Sequence, residues 1–211
     1  MGELDHWIWT VPNLATGASS IQGCLGATYF GGRHEGLGSA NHILPLNNQT
    51  FLEVLGPSGE SGLLAPKLKA SQPRIATFAV RTGSLEGIAD MAIDLGLRAK
   101  GPQGFTRLQS DGTPLRWRLL QIHGHDFGDY LPFFIDWGSS PHPSIAMPSH
   151  VSVESFLVSH ASAKLASIYD SLGIPVTVQQ GPSRMVLTLR SERGEVVLEG
   201  RGNSDLLTEE W

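Results

Sequence analysis

Thiol chemistry is nearly missing from this chain: its one cysteine, Cys24, cannot close an internal disulfide. No lysine or arginine run occurs, and 15 basic against 20 acidic residues leave a net charge of −5, so nothing favours a nucleic-acid partner. No stretch approaches the ~20 apolar residues of a membrane span. The opening Met-Gly-Glu-Leu-Asp-His lacks a basic segment before an apolar run. Walker-loop, His-Glu-x-x-His, Gly-x-Ser-x-Gly and Cys-x-x-Cys patterns are also absent, leaving phosphate-loop, zinc-protease, hydrolase-elbow and thioredoxin-like readings without support. A cytoplasmic protein with no membrane association is the expectation, with Cys24 as a small core residue at a helix end.

What is present is a repeated grammar. A short apolar strand, a helix-length stretch of small and aliphatic residues and a Leu-Gly stop recur three times, from Val11 to Gly26, Val80 to Gly96 and Val158 to Gly173. The spacings of 15, 16 and 15 positions suit one strand-to-helix unit used three times. At 211 residues and 40% hydrophobic content, the chain can bury one continuous core or a few small modules sharing one. The predicted division is a first β-α-β-β-β module over 1–56, a connector over 57–73 and a second module with a flap over 74–149. A third, partial module covers 150–200, with a tail at 201–211. Helices are predicted at Leu14 to Leu25, Leu85 to Leu95 and Ala161 to Leu172, turns at Gly31-Gly32 and Asn47-Asn48, and a hairpin at Asp111-Gly112. The fold class is α+β, with the modules forming a cupped mixed sheet.

Leu-Asp-His on the first strand, then Gly-Gly-Arg-His-x-Gly-x-Gly-x-x-Asn and Phe-Leu-Glu-Val-Leu, resembles the vicinal oxygen chelate superfamily, and within it the glyoxalase-like domain proteins. Arg107, Leu115-Arg116-Trp117-Arg118, Leu131-Pro132-Phe133, Asp136-Trp137 and His142-Pro143 extend the resemblance over about Leu4 to Pro143. It implies a cup that holds a divalent metal between the first and last strands of each module. His6 and Glu53 occupy those positions in the first module. Ile75 and Ile135 stand at the corresponding second-module positions, where neither binds metal. A complete ion site therefore needs a third ligand from His34, His123 or His142. Zinc, iron, manganese or nickel would suit such a set, and the alternative is no metal at all, with His6 and Glu53 as a buried hydrogen-bonded pair.

The residues support a pocket on their own terms. Glu53 sits between Phe51 and Leu55, where a carboxylate is costly unless paired, hydrogen-bonded or metal-bound. His34 lies in a glycine-flanked segment predicted as a loop, able to place its ring over a cavity. Asn41 interrupts a strand that would disfavour an amide, which suggests that it orients a ligand or His34. Arg107 together with Arg118 or Arg116 would grip a carboxylate or phosphate, with Trp117 or Trp137 as an aromatic lip. Asp136 is expected to pair with an arginine, and His142 to be held over the cup by its flanking prolines. The expected function is an enzyme on a small polar, anionic molecule, with lyase, isomerase or dioxygenase-type chemistry implied by the resemblance. Glu53 or His34 would move a proton. The alternative is a protein of the same fold that binds and sequesters a small molecule without turnover. Homodimer formation across sheet edges is open to such modules, and the sequence does not decide it.

Overall fold

A computed structural model describes residues 2–34, 36–108, 113–145, 147–202 and 206. The Asp111-Gly112 hairpin, Glu35 and most of the 201–211 tail lie outside the described residues. The first module comprises β1 (Glu3–Thr10), α1 (Leu14–Leu25), β2 (Tyr29–His34), β3 (Ser39–Leu46) and β4 (Thr50–Pro57). The second comprises β5 (Arg74–Arg81), α3 (Leu85–Asp94), β6 (Arg98–Leu108), β7 (Pro114–His123) and β8 (Phe133–Asp136), and α2 (Ala65–Ala70) lies in the segment between them. Asn13 caps α1 by accepting from the Thr16 amide, and Ser84 caps α3 by accepting from the Gly87 amide. The three helix-stopping glycines, Gly26, Gly96 and Gly173, all have positive φ.

The two modules join into one eight-stranded curled sheet of order β2-β3-β4-β1-β5-β8-β7-β6. Each half has the same wiring: the first strand runs parallel to the last, β1 with β4 and β5 with β8, and the halves meet antiparallel at β1 and β5. Curling brings the end strands β2 and β6 into contact, so the sheet forms a half-barrel around a cup. Strand alternation then sorts the side chains. On β4, Phe51, Glu53 and Leu55 line the cup, while Leu52 and Val54 join the core on the outer side. On β7, Leu115, Trp117 and Leu119 face inward and Leu120 faces outward.

The third segment forms β9 (Ser152–His160), α4 (Lys164–Ser171), β10 (Val178–Gln180), β11 (Arg184–Ser191) and β12 (Gly194–Arg201). It repeats the strand-to-helix unit but not the module. Its first strand is internal, in a separate sheet of order β10-β9-β11-β12. This sheet braces the outer side of the cup, where Phe156 packs edge-on against Trp7 and Phe78 at centroid distances of 5.6 and 5.0 Å. Burying side chains of this kind contributes about 1.5–3 kcal/mol each. The Tyr169 hydroxyl donates to the Tyr130 carbonyl and ties α4 to the second module. Closest of all is the approach of Gly200 on β12 to β5, where a Cβ would fall 1.9 Å from the Ile75 carbonyl oxygen. Gly200→Ala is therefore expected to force the sheets apart and cost about 1–3 kcal/mol, read as a lower urea midpoint with an unchanged slope.

Three expectations are corrected here. Cys24 is exposed, because the buried positions of α1 are Ala18, Ile21 and Leu25 and position 24 falls off that face. The connector, which the sequence leaves open as a linker or a flap, packs on the cup. Its Leu64 amide donates to the Leu37 carbonyl at 2.9 Å, and Leu64 lines the cup, so the segment closes one side of it. Gly31-Gly32 is not a turn but the middle of β2, and His34 is the last residue of that strand rather than part of a loop.

Candidate active site

Two adjacent polar residues, Asp5 and His6, interrupt β1, and a register shift against β5 between Leu4 and His6 makes Asp5 the extra residue. Both are buried as a result. The bulge lets the Asp5 carboxylate reach the neighbouring ring, with Oδ1 2.6 Å from His6 Nδ1. Trp137 Nε1 donates to Oδ2 at 3.0 Å, and Arg81 Nη1 stands 3.6 Å away. His142 Nδ1 accepts from the Ser144 amide, which places the His142 proton on Nε2, 3.3 Å from Asp5 Oδ2. That N–H is poorly aligned, so the contact is mainly electrostatic. Burial alone would raise the Asp5 pKa, but contacts and attraction from His142 and His6 outweigh it and hold the carboxyl well below its ordinary range. An ionised Asp5 only accepts, so His6 must give it the Nδ1 proton. Its Nε2 then turns toward the cup.

His6 is also clamped between rings, stacked on Phe51 at 4.5 Å and edge-on to Phe133 at 5.5 Å. Its Nε2 lies 3.7 Å from Glu53 Oε2. The other Glu53 oxygen accepts from Asn41 Nδ2 at 2.5 Å and stands 3.8 Å from His34 Nε2. His34 is oriented by its Nδ1 contact with Ser39 Oγ at 2.9 Å. Burial lowers the His34 pKa, with Glu53 opposing and Arg107 reinforcing the shift, so the ring is neutral at neutral pH. Gly31 explains the local sequence: a Cβ there would lie 2.2 Å from Asn41 Oδ1, so only glycine lets the Asn41 amide lie across β2. Buried Asn41 Oδ1 has no hydrogen-bond partner among the described residues and is an acceptor for a ligand donor.

The opposite wall comes from the second module. Arg107 on β6 reaches the seam where the sheet ends meet, and a Cβ at Gly32 would lie 2.9 Å from its Cδ. Burial lowers its pKa and the attraction of Glu53, which lines the same cavity, raises it. Beyond it run Phe105, Trp117 and Trp137, with centroids 6.1 Å apart for the first pair and 5.8 Å for the second. The cavity so enclosed has a volume of about 930 Å³. At its mouth Arg33 and Glu60, both exposed, form a 2.6 Å ion pair.

His6, His34, Asn41, Glu53, Arg107 and Trp117 thus share one cavity. Arg118 and Asp136 do not line it. Their alternation turns them to the outer side, where Arg118 pairs with Asp136 and with Glu86 of α3, both at 2.6 Å. His142 sits behind the wall as a neighbour of Asp5 rather than over the cup. The residue that the sequence reading passed over is Asp5. Its signal was available: consecutive charged and polar residues inside a buried strand break the two-residue period and mark a bulge.

As placed, the donors His6, His34 and Glu53 stand slightly wider apart than the ligands of one divalent ion. Ligands sharing one ion at bonds of about 2.1 Å lie roughly 3–3.4 Å apart, closer than the Glu53 separations from either histidine. Asn41 already holds one Glu53 oxygen, and Arg107 lines the same cavity. On the second module Ala79 pairs with His6, Ile75 faces the outer core and Ile135 lines the cup. Ile75 is therefore not the cup-side counterpart of His6, a bulge having shifted the parity of β5. Among the described residues no group of three histidine, cysteine, aspartate or glutamate side chains is placed to bind metal.

A half-barrel of two β-α-β-β-β units around a polar cluster defines the vicinal oxygen chelate class of fold. The family described as a glyoxalase-like domain matches residues 4–173, and the chain belongs to it. A hypothetical protein from Staphylococcus aureus has a similar structure, with a TM-score of 0.69 at 16% identity, over 94% of this chain and 85% of that one. Methylmalonyl-CoA epimerase in complex with methylmalonyl-CoA and NH4+ has a TM-score of 0.50 at 18% identity, over 68% of this chain and 99% of that one. The methylmalonyl-CoA epimerase of Mycobacterium tuberculosis gives 0.49 at 21% identity, over 69% and 91%. No curated protein sequence matches the chain. No helix among the described residues is long and apolar enough to cross a membrane.

Proposed function

We propose that this protein is a proton-transfer enzyme, of isomerase or lyase type, acting on an organic molecule with a carbonyl next to an acidic C–H bond. The observation that carries this reading is the oriented pair facing the cup: His6 Nε2, freed by the Asp5 hydrogen bond, and Glu53, held by Asn41, 3.7 Å apart. Glu53 takes the proton, the C–H electron pair moves onto the carbonyl oxygen as an enolate, and Arg107 offers the charge-assisted donors that such an oxygen needs. Return of the proton from Glu53 or through His6 completes the exchange. Burial keeps His34 neutral beside them, so it accepts or donates a hydrogen bond without adding charge.

Small carbonyl acids incubated with the protein in D2O and followed by proton NMR test this reading. The expected result is catalysed loss of the signal of the hydrogen next to the carbonyl, with no added metal. Tight binding without exchange would favour instead the non-catalytic, ligand-sequestering reading. Elemental analysis and a thermal-shift series with zinc, iron, manganese and nickel show whether a divalent ion enters between His6, His34 and Glu53.

A further inference from the structure

The volume of the cup and the composition of its far wall speak to the size of what it holds. A space of about 930 Å³ lies at the upper end of the range that encloses drug-sized ligands, and far exceeds what a two- or three-carbon acid fills. The buried polar groups cluster around His6, His34, Asn41 and Glu53, with Arg107 beside them and the exposed Arg33–Glu60 pair at the mouth. The second-module wall is largely apolar and carries a run of three rings. Phe105 and Trp117 are nearly parallel, with 16° between their planes, and Trp137 is tilted by 46° from Trp117. All three are only partly buried, so ring surface faces the cavity. Leu115, Leu119, Phe133 and Ile135 extend this surface. Water held against such a wall is displaced favourably by an apolar or aromatic body, in proportion to the apolar area removed from water. The Arg107 guanidinium stands two residues along β6 from Phe105, on the same inward face, at the boundary between the polar cluster and the rings.

We infer that the ligand is an amphiphilic acid: a carboxylate or enolisable oxo acid seated at Arg107, carrying an aromatic or similarly bulky apolar body that lies along Phe105, Trp117 and Trp137. This names the substrate class for the proton-transfer reading above and rests on it for the chemistry, but the recognition follows from the wall alone. It also revises the small polar molecule anticipated from sequence. Ring stacking and a charge-assisted hydrogen bond act at opposite ends of one ligand, so neither half of the molecule should bind well by itself.

Calorimetry with acetate, phenylacetate, 2-naphthylacetate and neutral 2-naphthylacetamide tests the inference without requiring turnover. Affinity is expected to rise at least 100-fold from acetate to 2-naphthylacetate and to fall at least 10-fold from that acid to its amide. In Arg107→Met the acid and amide should bind alike. Trp117→Leu should flatten the rise with ring size, and quenching of tryptophan fluorescence by 2-naphthylacetate in the unaltered protein reports the same contact if that variant does not fold. Arg118→Ala, on the outer side, should leave every affinity unchanged. Equal affinities for acetate and 2-naphthylacetate, or no binding by any member of the series, would overturn the inference. If the series behaves as expected while no hydrogen exchange is seen with any carbonyl acid, the recognition stands and the proton-transfer reading fails.

Discussion

Asp5→Asn, behind the wall of the cup, is expected to destabilise the fold by about 3–5 kcal/mol. The carboxylate is fully buried and accepts from His6 and Trp137 while balancing the approach of His142 and Arg81. An amide keeps one acceptor oxygen and turns an NH2 group toward a donor that was satisfied before, leaving two buried donors facing each other. The effect depends on pH, with a definite sign. Because the folded-state pKa of Asp5 is depressed below its unfolded value of about 3.9, its contribution is fully present above that value. It is lost as pH falls below it toward the folded pKa. Urea titrations at pH 7 and at pH 3 should therefore converge for the variant and the unaltered protein as the acid is approached. Identical stability of the two at pH 7 would remove Asp5 from this role.

Glu53→Gln should abolish catalysed hydrogen exchange, with a loss on the order of 10²–10⁴ for removal of a general base. Ligand binding should change only a few-fold. Gln retains an oxygen for the Asn41 amide, so the side chain keeps its place and loses only its basicity. The split between turnover and binding is the diagnostic: a parallel loss of both would mean that Glu53 holds the ligand or the fold rather than the proton.

Much of the scaffold was legible because strand and helix periods, caps and stop glycines are local. The bounds of α1 follow from Asn13 and the Leu25-Gly26 stop, and the cup follows from two copies of one unit. What escaped depends on long-range register. Arg116 and Arg118 plainly share a face of β7, but whether that face is inside is fixed by pairing with β6 and β8, and the inner positions go to Leu115, Trp117 and Leu119. Bulges did the same to β1 and β5, putting Asp5 beside His6 and carrying Ile75 out of the cup. Gly31-Gly32 resembles a turn locally. Only Asn41 and Arg107, 10 and 75 positions later in the chain, show why side chains are missing there.

The meeting of β2 and β6 has an evolutionary consequence. Acid–base groups all come from the first copy of the duplicated unit, whereas the guanidinium and the ring wall come from the second, and Gly32 admits Arg107 where β2 and β6 meet. Drift in β6 and β7 can therefore retune which molecules are accepted while the protonic apparatus on β1, β3 and β4 stays intact. A library confined to positions 105 and 117, leaving Trp137 and its hydrogen bond to Asp5 in place, would explore new selectivities against a constant reaction, and grafting β6 and β7 of a relative onto this chain is the corresponding experiment in recombination.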